Sequence, residues 1–193
     1  MVKKASRKRC SKKSDKLGQS EKSSDHYEKT KAKIKQIFKK VKTKKAVKCS
    51  DILYTLSTSP HFIGCFSQDD LVKLDLCYPC FLMVNIDSNG EKGSHWLALR
   101  LENKRLEIFD PLGFQIFKWK SVPCSLLKFL HDHSMNKLLI SPRIQSSKTS
   151  ICALYCIFFI YYRNFYSFTF LCSLFSKNLD KNQKRLYSFL DGH

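Results

Sequence analysis

The sequence lacks most features that would mark it for export or for a membrane. No apolar stretch follows the basic opening MVKKASRKRC, so no secretory leader is expected. Its nine cysteines are an odd set without framework spacing. That argues against a disulfide scaffold and for free thiols in a reducing compartment. No internal repeat is found. The most apolar stretch, Ile151–Phe175, is broken by Arg163-Asn164. An Arg at a bilayer centre costs about 2.5–3.5 kcal/mol, so two helices with a polar joint fit better than a membrane span. Acidic residues are scarce at the front: residues 1–50 hold 19 Lys/Arg against 4 Asp/Glu.

What is present is charge at one end and apolar residues at the other. The net charge of +19 over 193 residues sits mostly in the first fifty. Such a tail suits a polyanion, most simply DNA, with Lys3, Lys4, Arg7, Lys8, Arg9, Lys12 and Lys13 as the candidate contacts. Ile34, Ile37, Phe38 and Val41 repeat at helical spacing among lysines. This helix either touches a partner surface or packs its stripe against the core. Two parts are therefore expected: residues 1–48, a basic and partly disordered tail with an amphipathic helix, and residues 49–193, one folded domain.

Within the folded part, Asp51–Ser57 reads as a short helix. HFIGCFSQDDLVKL carries a turn at Gly64 and a cap at Ser67. Phe81–Ile86 reads as a buried strand, Asp87–Gly93 as a turn, and His95–Leu101 and Arg105–Asp110 as a hairpin. Ser121–Leu130 is helical, Leu138–Ile140 a short strand, and one or two helices close the chain. Central strands flanked by helices make the class α+β, with a mostly antiparallel sheet.

Cys152 stands between a polar run, SPRIQSSKTS, and the apolar ICALYCIFF. That boundary predicts a buried helix capped by Ser147, Thr149 or Ser150. A thiol in the first turn faces unpaired N–H groups and the positive end of the dipole, which favour the thiolate. In the hairpin, pairing Leu101 with Leu106, or with Lys104, places His95 and Asp110 on one face. A thiol, an imidazole and a carboxylate can make an activated nucleophile. Gln145 and the Cys152 N–H can supply oxyanion donors. His131 and His133 compete with His95 as base. His61, Cys65, Cys77 and Cys80 make a zinc site conceivable, with buried thiols the preferred reading, so no metal is assigned.

GSHWLALRL, EIFDPLG and RIQSSKTSICALYC resemble the adenovirus-type (adenain-like) cysteine endopeptidases, and more distantly the ubiquitin-like-protein proteases. The chain order His, Asp or Glu, Gln, Cys is the same, and the likeness spans roughly Pro60 to Leu190. The resemblance implies a papain-related fold, with residues 49–193 as the protease domain. It implies Cys152 as nucleophile at the N-terminus of a buried helix, His95 as base, Asp110 as its orienter and Gln145 as oxyanion donor. Ala153 stands where the family usually has Gly, and Asp110 where adenovirus enzymes have Glu. The implied substrates are capsid or core precursors cut beside glycines, in a host nucleus and virion, by a monomer needing no cofactor, with DNA as a candidate activator. Family members are also activated by a disulfide-linked peptide; Ser134 lies about where its cysteine partner is expected. The rival readings are a ubiquitin-like-protein protease, nuclear or cytoplasmic, and a nucleic-acid-binding protein with a decayed triad.

Overall fold

Alternating side chains explain the centre of the molecule. Along Cys80–Asn85 (β2), Trp96–Glu102 (β3) and Arg105–Phe109 (β4), successive residues point to opposite faces. Phe81, Met83, Ala98 and Phe109 supply one apolar face. Leu82, Val84, Leu97, Leu99, Leu106 and Ile108 supply the other, and both are buried. The computed structural model describes residues 19–42, 47–91, 93–113, 123–134 and 137–191; the basic residues Lys3 to Lys13 lie outside them.

Phe62–Ser67 (β1) and Lys137–Ile140 (β5) complete a five-stranded sheet in the order β1-β2-β3-β4-β5. The central strands β2, β3 and β4 pair antiparallel, as expected. Both edges are parallel, β1 to β2 and β4 to β5. They are reached by long crossovers rather than hairpins, the second carrying helix α3 (Cys124–His133). β1 replaces the turn expected at Gly64. That glycine lies at a register shift against β2, with φ +149°, so it bulges a strand instead of ending one. Ser67 caps no helix; it ends β1 and donates to Asp70 Oδ2 at 2.8 Å.

The Phe81/Phe109 face carries helix α4 (Cys152–Tyr162), buried from Cys152 through Tyr161. A helix apolar all round belongs in a core. Phe159 stacks on Phe109 with ring centroids 4.5 Å apart. Helices α1 (Gln19–Lys42), α2 (Cys49–Leu56), α5 (Phe168–Ser173) and α6 (Leu179–Asp191) join the same layer. Leu126, Phe129 and Leu130 of α3 cover the opposite face.

Of the two readings of the lysine-rich helix, the structure takes the packed one. Ile34, Ile37 and Phe38 of α1 are buried in the main core, and Phe38 meets Tyr187 of α6 at 4.6 Å. The packed body thus extends upstream of the boundary expected at residues 48 and 49. No helix among the described residues is long and apolar enough to cross a membrane. The apolar run is α4 and α5 with a polar joint. Arg163 in that joint donates from Nε and Nη2 to the fully buried Glu107 of β4, at 2.8 Å each. A fork of two bonds neutralises a charge that the interior would otherwise reject.

Candidate active site

The hairpin register decides the geometry. Leu101 pairs with Leu106, one of the two registers that place His95 and Asp110 on one face. His95 just precedes β3 and Asp110 just follows β4, so both emerge at the same end of the hairpin. His95 Nε2 lies 2.7 Å from Asp110 Oδ1, with the residues 4% and 0% exposed. Cys152 begins α4, near enough to His95 for its thiol to help raise the imidazole pKa. With Nε2 on the carboxylate, Nδ1 is the nitrogen left for the thiol.

Each of these groups is held by neighbours that carry no signal in the sequence. The Ser141 hydroxyl accepts from the Asp110 N–H at 2.8 Å and donates to the Asp110 carbonyl at 2.9 Å. Asp110 Oδ1 also accepts from the Leu112 N–H at 2.8 Å. Ahead of His95, the Asp87 carboxylate accepts from the Ser94 N–H and from its hydroxyl. Cys156, one turn after Cys152, donates from Sγ to the Trp96 carbonyl at 3.3 Å, tying α4 to the strand that begins beside His95. A Cβ added at Gly113 (φ +79°) would lie 2.6 Å from Arg143 Cβ. A glycine there lets the Pro111 turn press against the loop that leads to Cys152.

Burial works against the His95 imidazolium. Its hydrogen bonds to Asp110 and Cys152, and the charges of both partners, outweigh that and push its pKa up to about 9. The ring therefore holds its proton at neutral pH.

Gln145 is buried in the loop before α4. Its Nε2 donates to the Thr149 carbonyl at 2.6 Å, and its backbone N–H donates to the Pro111 carbonyl at 2.8 Å. An amide nitrogen has two hydrogens, so one remains for a ligand. The expected caps of α4 are not used. Ile151 is the N-cap and gives no side-chain hydrogen bond, while Thr149 Oγ1 turns to the Ser146 carbonyl at 3.0 Å. No capping side chain competes for the first-turn N–H groups.

The other candidates sit elsewhere. His131 and His133 lie at the end of α3, across the sheet from α4, and His133 Nδ1 pairs with the Tyr78 hydroxyl at 2.9 Å. Cys65 lines a cavity with Cys49, Cys77 is exposed and Cys80 is buried on β2. Among the described residues, no group of three or more His, Cys, Asp or Glu could hold a metal ion.

Comparison with known proteins places the chain in a family. Residues 62–175 match the adenovirus endoprotease family. The protease of ovine adenovirus D serotype 7 (isolate OAV287) is 29% identical over 182 residues, 73% of this chain and 83% of that one. The protease of bovine adenovirus 7 is 28% identical over 171 residues, 72% of this chain and 81% of that one. A solved structure of a protease from ASFV is similar at 22% identity and a TM-score of 0.38, over 58% of this chain and 43% of that chain. The chain belongs to the adenovirus endoprotease family and is a cysteine endopeptidase of viral type.

Proposed function

We propose that the enzyme cuts capsid or core precursor proteins of a DNA virus, or of an element derived from one, beside glycines. Cys152 is the nucleophile, His95 the acid and base, and Asp110 the group that orients the imidazole. The observation that carries this reading is the buried His95–Asp110 hydrogen bond, with Cys152 beside that imidazole at the uncapped start of α4.

The Cys152 thiolate attacks the scissile carbonyl carbon while His95 is an imidazolium. The oxyanion forms beside the Cys152 N–H and the free hydrogen of the Gln145 amide. As the tetrahedral centre collapses, His95 gives its proton to the leaving amine. Neutral His95 then takes a proton from water, the hydroxide attacks the thioester, and the thiol is restored. Asp110 holds Nε2 throughout, so Nδ1 faces the reacting atoms. The chemistry needs no metal or cofactor. The basic residues Lys3, Lys4, Arg7, Lys8, Arg9, Lys12 and Lys13 recruit DNA, which concentrates the monomeric enzyme on nucleoprotein in the nucleus and the virion.

The test offers the full chain two substrate sets, glycine-containing precursor peptides and ubiquitin-like-protein fusions. Cleavage of the peptides, with stoichiometric capture of Cys152 by an electrophilic peptide at neutral pH, is expected. Cys152→Ala should abolish both. Cleavage of the fusions alone overturns the precursor reading, and capture at a different cysteine overturns the nucleophile.

A further inference from the structure

Two thiols outside the triad face each other. Cys49 is the first residue of α2 and Cys65 lies in β1, beyond the bulge at Gly64. Each thiol shifts the pKa of the other. Both line a cavity of about 220 Å³ that also reaches Trp96, the residue after His95. Both are part-exposed and neither is in a disulfide. The pair is asymmetric. Interaction with Cys65 lowers the Cys49 pKa, while interaction with Cys49 and burial push Cys65 up. The start of a helix adds a positive dipole end at Cys49.

The cavity is acidic in an otherwise basic chain. Asp70 and Glu91 line it, and no Lys or Arg does among the described residues. Asp70 accepts from the Ser67 hydroxyl at 2.8 Å and Glu91 from the Ser88 N–H at 3.0 Å. These contacts leave both carboxylates a second oxygen for a cation.

We propose that Cys49 and Cys65 form a second reactive-thiol site, separate from Cys152, that exchanges with small cationic disulfides and closes to an internal disulfide. The Cys49 thiolate attacks one sulfur of the small disulfide, whose S–S bond breaks. The expelled thiolate takes the Cys65 proton. The Cys65 thiolate then attacks the Cys49 sulfur, the mixed disulfide breaks, and the second small thiolate takes a proton from water. Two protein thiols are oxidised, and one small disulfide is reduced to two thiols. The new bond joins the start of α2 to β1 at the wall of the cavity beside Trp96.

Cystamine is the probe. The full chain is treated with it, quenched with iodoacetamide, digested without reductant and mapped by mass spectrometry. A Cys49–Cys65 linked peptide that disappears with dithiothreitol is expected. Cys65→Ser should trap Cys49 as a stable cysteamine adduct, and Cys49→Ser should leave Cys65 alkylated. Neutral 2-hydroxyethyl disulfide should react about two- to fivefold more slowly at low salt, as two partly exposed carboxylates allow. Recovery of Cys49 and Cys65 both alkylated in the wild type, after Cys152 has reacted, overturns the site. Equal rates with the two disulfides overturn its cationic preference. Because both readouts are mapped on residues other than Cys152, they stand or fall independently of proteolysis.

Discussion

The proton on His95 depends on two partners and on a barrier of burial. The hydrogen bonds to Asp110 and Cys152, with their charges, raise its pKa to about 9 against burial, which lowers it. A raised histidine value stabilises the fold fully below about 6.5, and that contribution is lost as pH climbs from there through about 9. In the proposed mechanism the same proton goes to the leaving amine, so kcat should fall on the alkaline side near pH 9. Asp110→Asn removes a raising partner and its charge while leaving burial in place. Its alkaline limb should move to lower pH, and kcat should drop roughly 10²–10⁴-fold. A pH profile of kcat for the two proteins checks this. An Asp110→Asn limb still near pH 9 would mean that another group supplies the proton. Strand parity and alternation make His95 and Asp110 legible as neighbours in the sequence, because an apolar hairpin face tolerates few registers. Ser141 is not legible there. A serine in a loop carries no periodicity, and only the fold shows that it grips both backbone groups of Asp110.

At the scale of elements, two pieces must meet for the proposed triad to exist: the strand that ends just before Asp110 and the helix beginning at Cys152. Stacking of Phe109 on Phe159 joins them in the apolar layer. The fork between Glu107 and Arg163 joins them at the far end. Arg105 adds a third contact to Glu107 at 3.0 Å. Glu107 sits at a core-facing position of β4, where alternation alone calls for an apolar side chain. Its partner lies 56 residues on, so the sequence shows an anomaly without its resolution. Removing the carboxylate strands a guanidinium that is 12% exposed. Glu107→Ala should therefore cost about 3–5 kcal/mol, far more than an exposed ion pair is worth. Urea denaturation of the purified variant measures it; a decrease under about 1 kcal/mol would mean that water reaches Arg163 freely. β1 is hidden in the sequence for a related reason. Gly64 is a turn residue by composition, and only pairing with β2 turns it into a bulge.

For the whole molecule, the question is where the basic end stops being a tail and becomes part of the body. The stripe Ile34, Ile37, Phe38 would look the same on a helix that grips the core or one that grips a partner, so the sequence leaves both open. In the fold the stripe is buried, while Lys29, Lys35 and Lys39 stay exposed on the other side of α1. A deletion that reaches α1 therefore tests stability and charge together, and cannot separate them. Removing residues 1–18 takes away eight Lys/Arg and none of the stripe. That deletion should leave the melting temperature unchanged and remove most of the DNA affinity. It should also flatten the salt dependence, by about 0.9 in log–log slope for each phosphate that is no longer neutralised. Removing residues 1–42 should in addition lower the melting temperature steeply, since Ile37→Ala alone should cost about 2–5 kcal/mol. Fluorescence anisotropy on a DNA duplex at several salt concentrations, beside thermal melts, distinguishes the outcomes. If the shorter deletion leaves affinity and slope intact, DNA binding belongs to the lysine side of α1. One helix would then join the polyanion surface to the core that holds α4.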